Sequence, residues 1–194
     1  DSQGLCFIGK VKLPDFLQQS LKPKNGNVVL IDKSYDGYKS YSNSKGIKIT
    51  SKKIKYNKSD GEIIGHHNGA HFYTIGQRKG LSIGGRKNPL YVLSTDVINN
   101  IIYVGEGSDH PGLFRSVLRV HSNNMHFISD YSEIIKSKNY KARIRYRQAL
   151  QDVSVFKNSK YYYFTFKKPQ KAIASGQFVA LYRNEELTCS GVID

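Results

Sequence analysis

The chain has 194 residues, of which 39% are hydrophobic and 12% aromatic, enough for one full core or two small ones and too many for wholesale disorder. Thirty Lys and Arg against fifteen Asp and Glu leave a net charge of +15 and a pI of about 9.7. That field attracts polyanions, nucleic acid above all, although a composition biased towards lysine accounts for it equally. No apolar run approaches the roughly 20 residues of a membrane span, and no basic segment followed by an apolar one reads as a signal peptide.

Cysteine is limited to Cys6 and Cys189, with neither a CxxC spacing nor a Cys/His cluster. That excludes a zinc-finger pattern and a disulfide-dense secreted scaffold, so a cytoplasmic protein without a membrane partner is expected. At the start of the chain, Leu5, Phe7 and Ile8 surround Cys6 and favour a buried, inert thiol. "LPDFLQQSL" then carries Phe16, Leu17 and Leu21 at helical spacing, with Pro14 in the first turn and Gly26 beyond its end. "NVVLID" reads as a buried strand.

Residues 34–59 shift to Ser, Tyr, Asn and Lys, with seven lysines facing the single acid Asp36. This reads as a surface excursion, a long hairpin kept solvated by its charge. "AHFYTIG", "PLYVLS" and "NIIYVGEG" follow as strands between Gly, Pro and Asn-Asn turns, and "GSDHPGLF" marks a domain boundary. "YKARIRYRQALQDVSVF", "KYYYFTFKKP" and "GQFVALYRNEELTCSGVI" contain further strands, with Asn184 at a hairpin tip. Short strands at this spacing predict a small closed barrel, which hides its sheet edges. The fold class expected is mainly β: a small central β-domain, then a C-terminal antiparallel β-barrel, with few short helices.

Two stretches carry chemistry. Strand alternation over 141–147 puts Ala142, Ile144 and Tyr146 on one face and Lys141, Arg143, Arg145 and Arg147 on the other. Four like charges in a row repel in water and are favourable against a phosphate backbone. Guanidinium groups also fork onto phosphate or stack on bases, although the stripe equally suits a solvated strand face. In "YTIGQRKGLSIGG", glycines 76, 80, 84 and 85 surround Gln77, Arg78 and Lys79, a cationic loop able to contact RNA or to serve as a plain structural turn. It is neither a GxxxxGK[ST] nor a GxGxxG loop. His66, His67 and His71 lack accompanying carboxylates, so no metal site is expected.

"IGHHNGAHFYTIGQRKGLSIGG", with Gly65, His67 and Gly69 leading into Tyr73–Gly80 and on to Gly84, closely resembles the central region of the tRNA-specific 2-thiouridylases. "RIRYRQ", "ASGQFVALY" and "DSQGLCFIG" are similar to other parts of that family, and the resemblance spans the chain apart from 34–59, where the family has a shorter turn. It implies residues 1–12 as the tail of an ATP-pyrophosphatase domain, 13–107 as a central β-domain and 112–194 as a tRNA-binding barrel. It further implies ATP-dependent 2-thiolation of the wobble uridine of tRNAs for Lys, Glu and Gln. ATP, with Mg2+, would be bound by a preceding domain absent from this chain, and a separate protein would donate the sulfur.

By the same resemblance Cys6 is the second catalytic cysteine. It carries the persulfide sulfur and forms a disulfide with a first cysteine elsewhere as sulfur leaves. Arg145, Tyr146 and Gln177 correspond to tRNA-contacting residues of the family. Arg143 and Arg147 join them from strand geometry alone. Cys189 inherits no role and reads as a small packed side chain. On this reading the 194 residues bind tRNA and do not thiolate by themselves; the alternative is a stand-alone RNA-binding barrel without catalysis.

Overall fold

The computed structural model describes residues 22–43, 46–128 and 140–194. Cys6 and the helix expected over 13–21 lie outside the described residues. Two compact units form: one comprises residues up to Lys33 with Tyr56–Ser108, the other Ser34–Lys55 with Asp109–Asp194. No helix among the described residues is long and apolar enough to cross a membrane.

The first unit is a four-stranded sheet in the order β2 (Glu62–His67), β1 (Gly26–Leu30), β4 (Ile101–Glu106), β3 (Leu90–Asp96). β1 and β4 pair in parallel, their outer neighbours antiparallel. Both central strands are near-continuous apolar runs, as a strand covered on both faces requires. Val28, Leu90, Val92, Ile102 and Val104 form the core with Ala70 and Leu81.

The β3–β4 turn ends at Asn100, in a left-handed conformation with φ 54°. Its buried amide donates to the carbonyls of Lys24 and Asn25 at 3.0 and 2.9 Å and accepts the Ala70 N–H at 2.9 Å. β1 begins there with a glycine because a Cβ on residue 26 would lie 2.2 Å from the Asn100 carbonyl oxygen.

The strand expected at "AHFYTIG" is not formed. Gly69, at φ 139°, breaks the chain after β2, Ala70–Phe72 makes one 3-10 turn, and the residues onward are loop. This loop returns to β3: Gly76 N–H donates to the Val92 carbonyl at 2.7 Å, and Val92 N–H donates to the Gln77 carbonyl at 2.9 Å.

The second unit is the expected closed barrel, in the order β10 (Glu186–Ile193), β5 (Phe114–Phe127), β8 (Tyr161–Lys171), β7 (Gln151–Lys157), β6 (Tyr140–Arg143), β9 (Phe178–Arg183), every pair antiparallel. Leu118, Val120, Ala142, Phe164, Leu181 and Ile193 fill its interior. Each large side chain so buried contributes about 1.5–3 kcal/mol. Cys189 is packed among them, and burial pushes its thiol up to about 11, which leaves it unreactive at neutral pH.

The 14-residue β5 runs through Ser122-Asn123-Asn124, residue types common in turns. It stays extended because Phe114–His121 pairs with β8 and the stretch to Phe127 pairs with β10.

In place of the expected hairpin, the described residues of 34–55 include two short helices, α1 (Asp36–Asn43) and α2 (Ile47–Thr50). Tyr38 is buried with its ring edge-on to buried His110, centroids 5.6 Å apart. Arg115, on β5, is buried without a carboxylate and donates to the carbonyls of Ser51 at 3.2 Å and Ile173 at 2.9 Å. The segment is thereby fastened to the barrel.

Candidate nucleic-acid interface

The cationic strand ends early. Alternation holds from Tyr140 to Ile144, buried residues at even positions, but β6 stops at Arg143 and residues 145–148 turn. Gln148 makes the turn: its backbone N–H donates to the Arg145 carbonyl at 3.1 Å, and its side-chain oxygen accepts the Ile144 N–H at 3.0 Å. Gln148 in turn donates to buried Gln170 at 2.5 Å. Tyr146, expected on the inner face with Ala142 and Ile144, is 85% exposed at the turn's tip. Arg147 is exposed beside it. The four cations therefore do not share one strand face.

The turn nevertheless brings most of the expected residues together. Arg143, Arg145, Tyr146 and Gln177 line one open cavity of about 300 Å3, with Phe178, Ala180 and Tyr182 of β9. β9 alternates Phe178, Ala180 and Tyr182 outward against Val179 and Leu181 inward. The small Ala180 leaves the floor open between two rings. Phe178 is 62% exposed, and sequence reasoning missed it because a Phe that opens an apolar strand has no local mark of exposure.

Arg143 lies between two tyrosines. It donates to the Tyr146 carbonyl at 3.0 Å and to the Tyr182 hydroxyl at 2.6 Å, and its guanidinium carbon sits 5.9 and 4.9 Å from the two ring centroids. Arg145 donates to the carbonyls of Lys171 at 3.0 Å and Ala172 at 2.9 Å, and partial burial pulls its pKa down. Each arginine keeps donors in excess of those used here.

Gln177 follows Gly176, whose φ of 83° turns the chain into β9. Its backbone is held by Ala174 and Ile193, and its side-chain oxygen is buried with no hydrogen-bond partner. No carboxylate lines the cavity. Cations, exposed rings and a vacant acceptor make a site for an anionic, π-rich ligand.

In the first unit, Gln77 is committed to its own loop, accepting the Thr74 N–H at 3.1 Å and donating to the Lys79 carbonyl at 2.9 Å. Arg78 and Lys79 project from it exposed. His67 accepts the Gly69 N–H on Nδ1 at 2.9 Å, and burial lowers its pKa. Among the described residues no three His, Cys, Asp or Glu side chains converge to hold a metal ion.

Residues 49–106 match the tRNA methyl transferase PRC-barrel domain, and residues 117–193 match the aminomethyltransferase β-barrel domain. Over its full length the chain is 48% identical to a tRNA-specific 2-thiouridylase of Christiangramia forsetii and 46% identical to that of Flavobacterium johnsoniae, covering 51% of each. A Pseudomonas aeruginosa relative of the same name is 33% identical, with 44% of its length covered. The chain thus spans about half the length of the curated relatives it matches. With both domains present in series and the identity sustained from end to end, the chain belongs to the tRNA-specific 2-thiouridylase family.

Proposed function

We propose that this chain supplies the tRNA-gripping part of an enzyme that converts the wobble uridine of tRNAs for Lys, Glu and Gln to 2-thiouridine. The observation that carries the reading is the cavity at the β6–β9 end of the barrel: two arginines, exposed Tyr146 and Phe178, the unpartnered Gln177 oxygen and no carboxylate. Single-stranded nucleotides suit such a site, their phosphates on the cations and their bases on the rings. Anticodon-loop nucleotides unstacked from the helix meet that requirement; a regular duplex does not, because its bases are already stacked.

Adenylation is assigned elsewhere: ATP, with Mg2+, would adenylate the C2 oxygen of the uridine and release pyrophosphate. The outer sulfur of a persulfide on Cys6 would then attack C2 and expel AMP, and the first cysteine would attack the Cys6 sulfur, forming a disulfide with it and leaving 2-thiouridine. The adenylation step is given to residues outside this chain, and Cys6 takes part in the sulfur transfer as the second cysteine. The sulfur comes from a separate donor protein, and a reducing cytoplasm keeps the cysteines free to cycle.

Titrating the chain with an unmodified tRNA transcript at several salt concentrations tests the reading. Affinity should fall with salt by about 0.7–0.9 in log K per neutralised phosphate for each tenfold rise in salt. Salt-independent binding, or none, refutes it. In the full-length enzyme, Cys6→Ser should abolish 2-thiouridine formation and leave tRNA affinity unchanged. ATP-dependent thiolation by the 194-residue chain alone would refute the placement of the chemistry.

A further inference from the structure

The segment 34–55 packs with the barrel, and its charge has no counterpart around it. Lys48, Lys52, Lys53 and Lys55 are exposed within eight residues, interrupted by Ile49, which is also exposed. Among the described residues, no carboxylate comes within ion-pair distance of any of the four; the acid nearest in sequence, Asp60, accepts the Asn57 N–H at 2.7 Å, and Asp36 is paired with Lys39 at 3.3 Å. Four ammonium groups rooted within eight residues repel one another, and among the described residues no ion pair offsets that cost.

Their backbone is held firmly. Tyr41 of α1 directs its hydroxyl at the carbonyls of Thr50 and Lys52, the latter at 3.1 Å, and accepts a hydrogen bond from Arg115. Arg115 also grips the carbonyl of fully buried Ser51, and the Ser51 hydroxyl caps the Lys48 carbonyl at 3.1 Å. Lysine stems rooted on a fixed backbone lose less freedom on meeting a ligand than stems on a loose loop.

The same fastening reaches the cavity. Three successive carbonyls at the end of β8 are taken by two guanidiniums: Arg145 of the cavity holds Lys171 and Ala172, and Arg115 holds Ile173. Ala172 sits there at φ 54°, and its N–H donates to the Leu113 carbonyl at 2.7 Å. One short corner therefore positions both the aromatic cavity and the lysine patch.

We propose that Lys48, Lys52, Lys53 and Lys55 form a second phosphate-binding surface, which engages the backbone of the same RNA molecule whose unstacked nucleotides occupy the cavity. This rests on the tRNA-binding reading. The patch has cations and one aliphatic side chain and no aromatic ring, so it takes phosphates without reading bases. An RNA ligand is favoured over an acidic protein because the corner joins the patch to a cavity built for stacking.

The test compares tRNA affinity across 50–200 mM salt for four proteins. These are the unaltered chain; K48Q/K52Q/K53Q/K55Q; K22Q/K24Q/K58Q/K87Q, which removes equal charge from exposed lysines of the other unit; and Phe178→Ala, which alters only the cavity. Melting curves verify that each is folded. The patch variant should lose about 0.7–0.9 of slope in log K against log salt for every contact removed, or about five- to eightfold in affinity per contact at 0.1 M salt. The control should lose less.

Unchanged affinity and slope in the patch variant, with Phe178→Ala weakened, would overturn this inference alone. An equal loss in the control variant would overturn it too, since net charge would then suffice. Failure of the unaltered chain to bind tRNA would instead sink the underlying reading. Poly-glutamate binding as tightly as tRNA, with the same dependence on the four lysines, would reassign the patch to an acidic protein.

Discussion

Replacing Arg145 separates its two roles. Its guanidinium donates to the carbonyls of Lys171 and Ala172 while its charge faces the cavity. A hydrogen bond from a charged donor contributes about 1.5–3 kcal/mol when buried. Here the side chain is half in water, which can take over both carbonyls, so Arg145→Ala should destabilise the barrel unit by a total of about 1–2 kcal/mol. For a unit of this size that lowers Tm by about 5–15 °C.

Loss of the cation should also weaken tRNA binding by about 1–3 kcal/mol, or about 5- to 150-fold, and reduce the salt slope by about one contact. Arg145→Lys distinguishes the roles. A lysine keeps the charge but cannot fork onto two carbonyls, so Tm should drop nearly as far as in the alanine variant while the slope is retained. Calorimetry and filter binding across a salt series read the two effects independently. An unchanged Tm in Arg145→Ala would refute the carbonyl clamp. A lysine variant with the alanine variant's slope would refute the account of the charge.

Phe178→Ala should weaken tRNA binding by about 1–3 kcal/mol through lost stacking, measured by the same titration, with Tm unmoved because the ring is exposed. Phe164→Ala opens a cavity in the barrel core and should cost about 3–5 kcal/mol in urea unfolding, with the slope m unchanged. Gly26→Ala drives a methyl into the Asn100 carbonyl and should markedly lower the melting temperature of the first unit, with the barrel's own transition unaffected. Burial holds His67 neutral with a depressed pKa, so its contribution to stability is complete above about pH 6.5 and is lost as pH falls through the folded-state pKa. Melting curves between pH 7.5 and 5.5 should show that loss, and a His67→Gln variant should show a flatter profile.

The barrel was legible because alternation is a local property. "FVALYR" reads as a strand that runs into a turn, and the Asn184 tip is a residue that accepts φ 58°. What eluded the sequence depended on partners far along the chain. Alternation alone carried the cationic stripe through Arg147, whereas Gln148, anchored on Gln170 22 residues away, folds the strand back after Arg143. β5 runs on past its asparagines because β10 pairs with it there.

The helices of the insertion did have a local signal, since Tyr35, Tyr38 and Tyr41 recur at spacing three; the low-complexity composition masked it. Its attachment had none, because Arg115 reaches Ser51 across 64 residues. At the site, Arg145 stands in the cationic stripe as well as in the resemblance, whereas Gln177 and Tyr146 were identifiable only by resemblance. Phe178 needed the neighbouring strand to show that it faces solvent.

The glycine-rich loop has a consequence beyond any contact with RNA. A closed barrel offers no free edge, but the four-stranded sheet ends in two, β2 and β3. By exchanging hydrogen bonds with Val92 through Gly76 and Gln77, the loop occupies the outer edge of β3. A foreign strand must displace it before it can add there. Flexible glycines and two exposed cations thus act as a guard against strand addition, and the remaining exposure to self-association falls on β2, where Ile63 is uncovered.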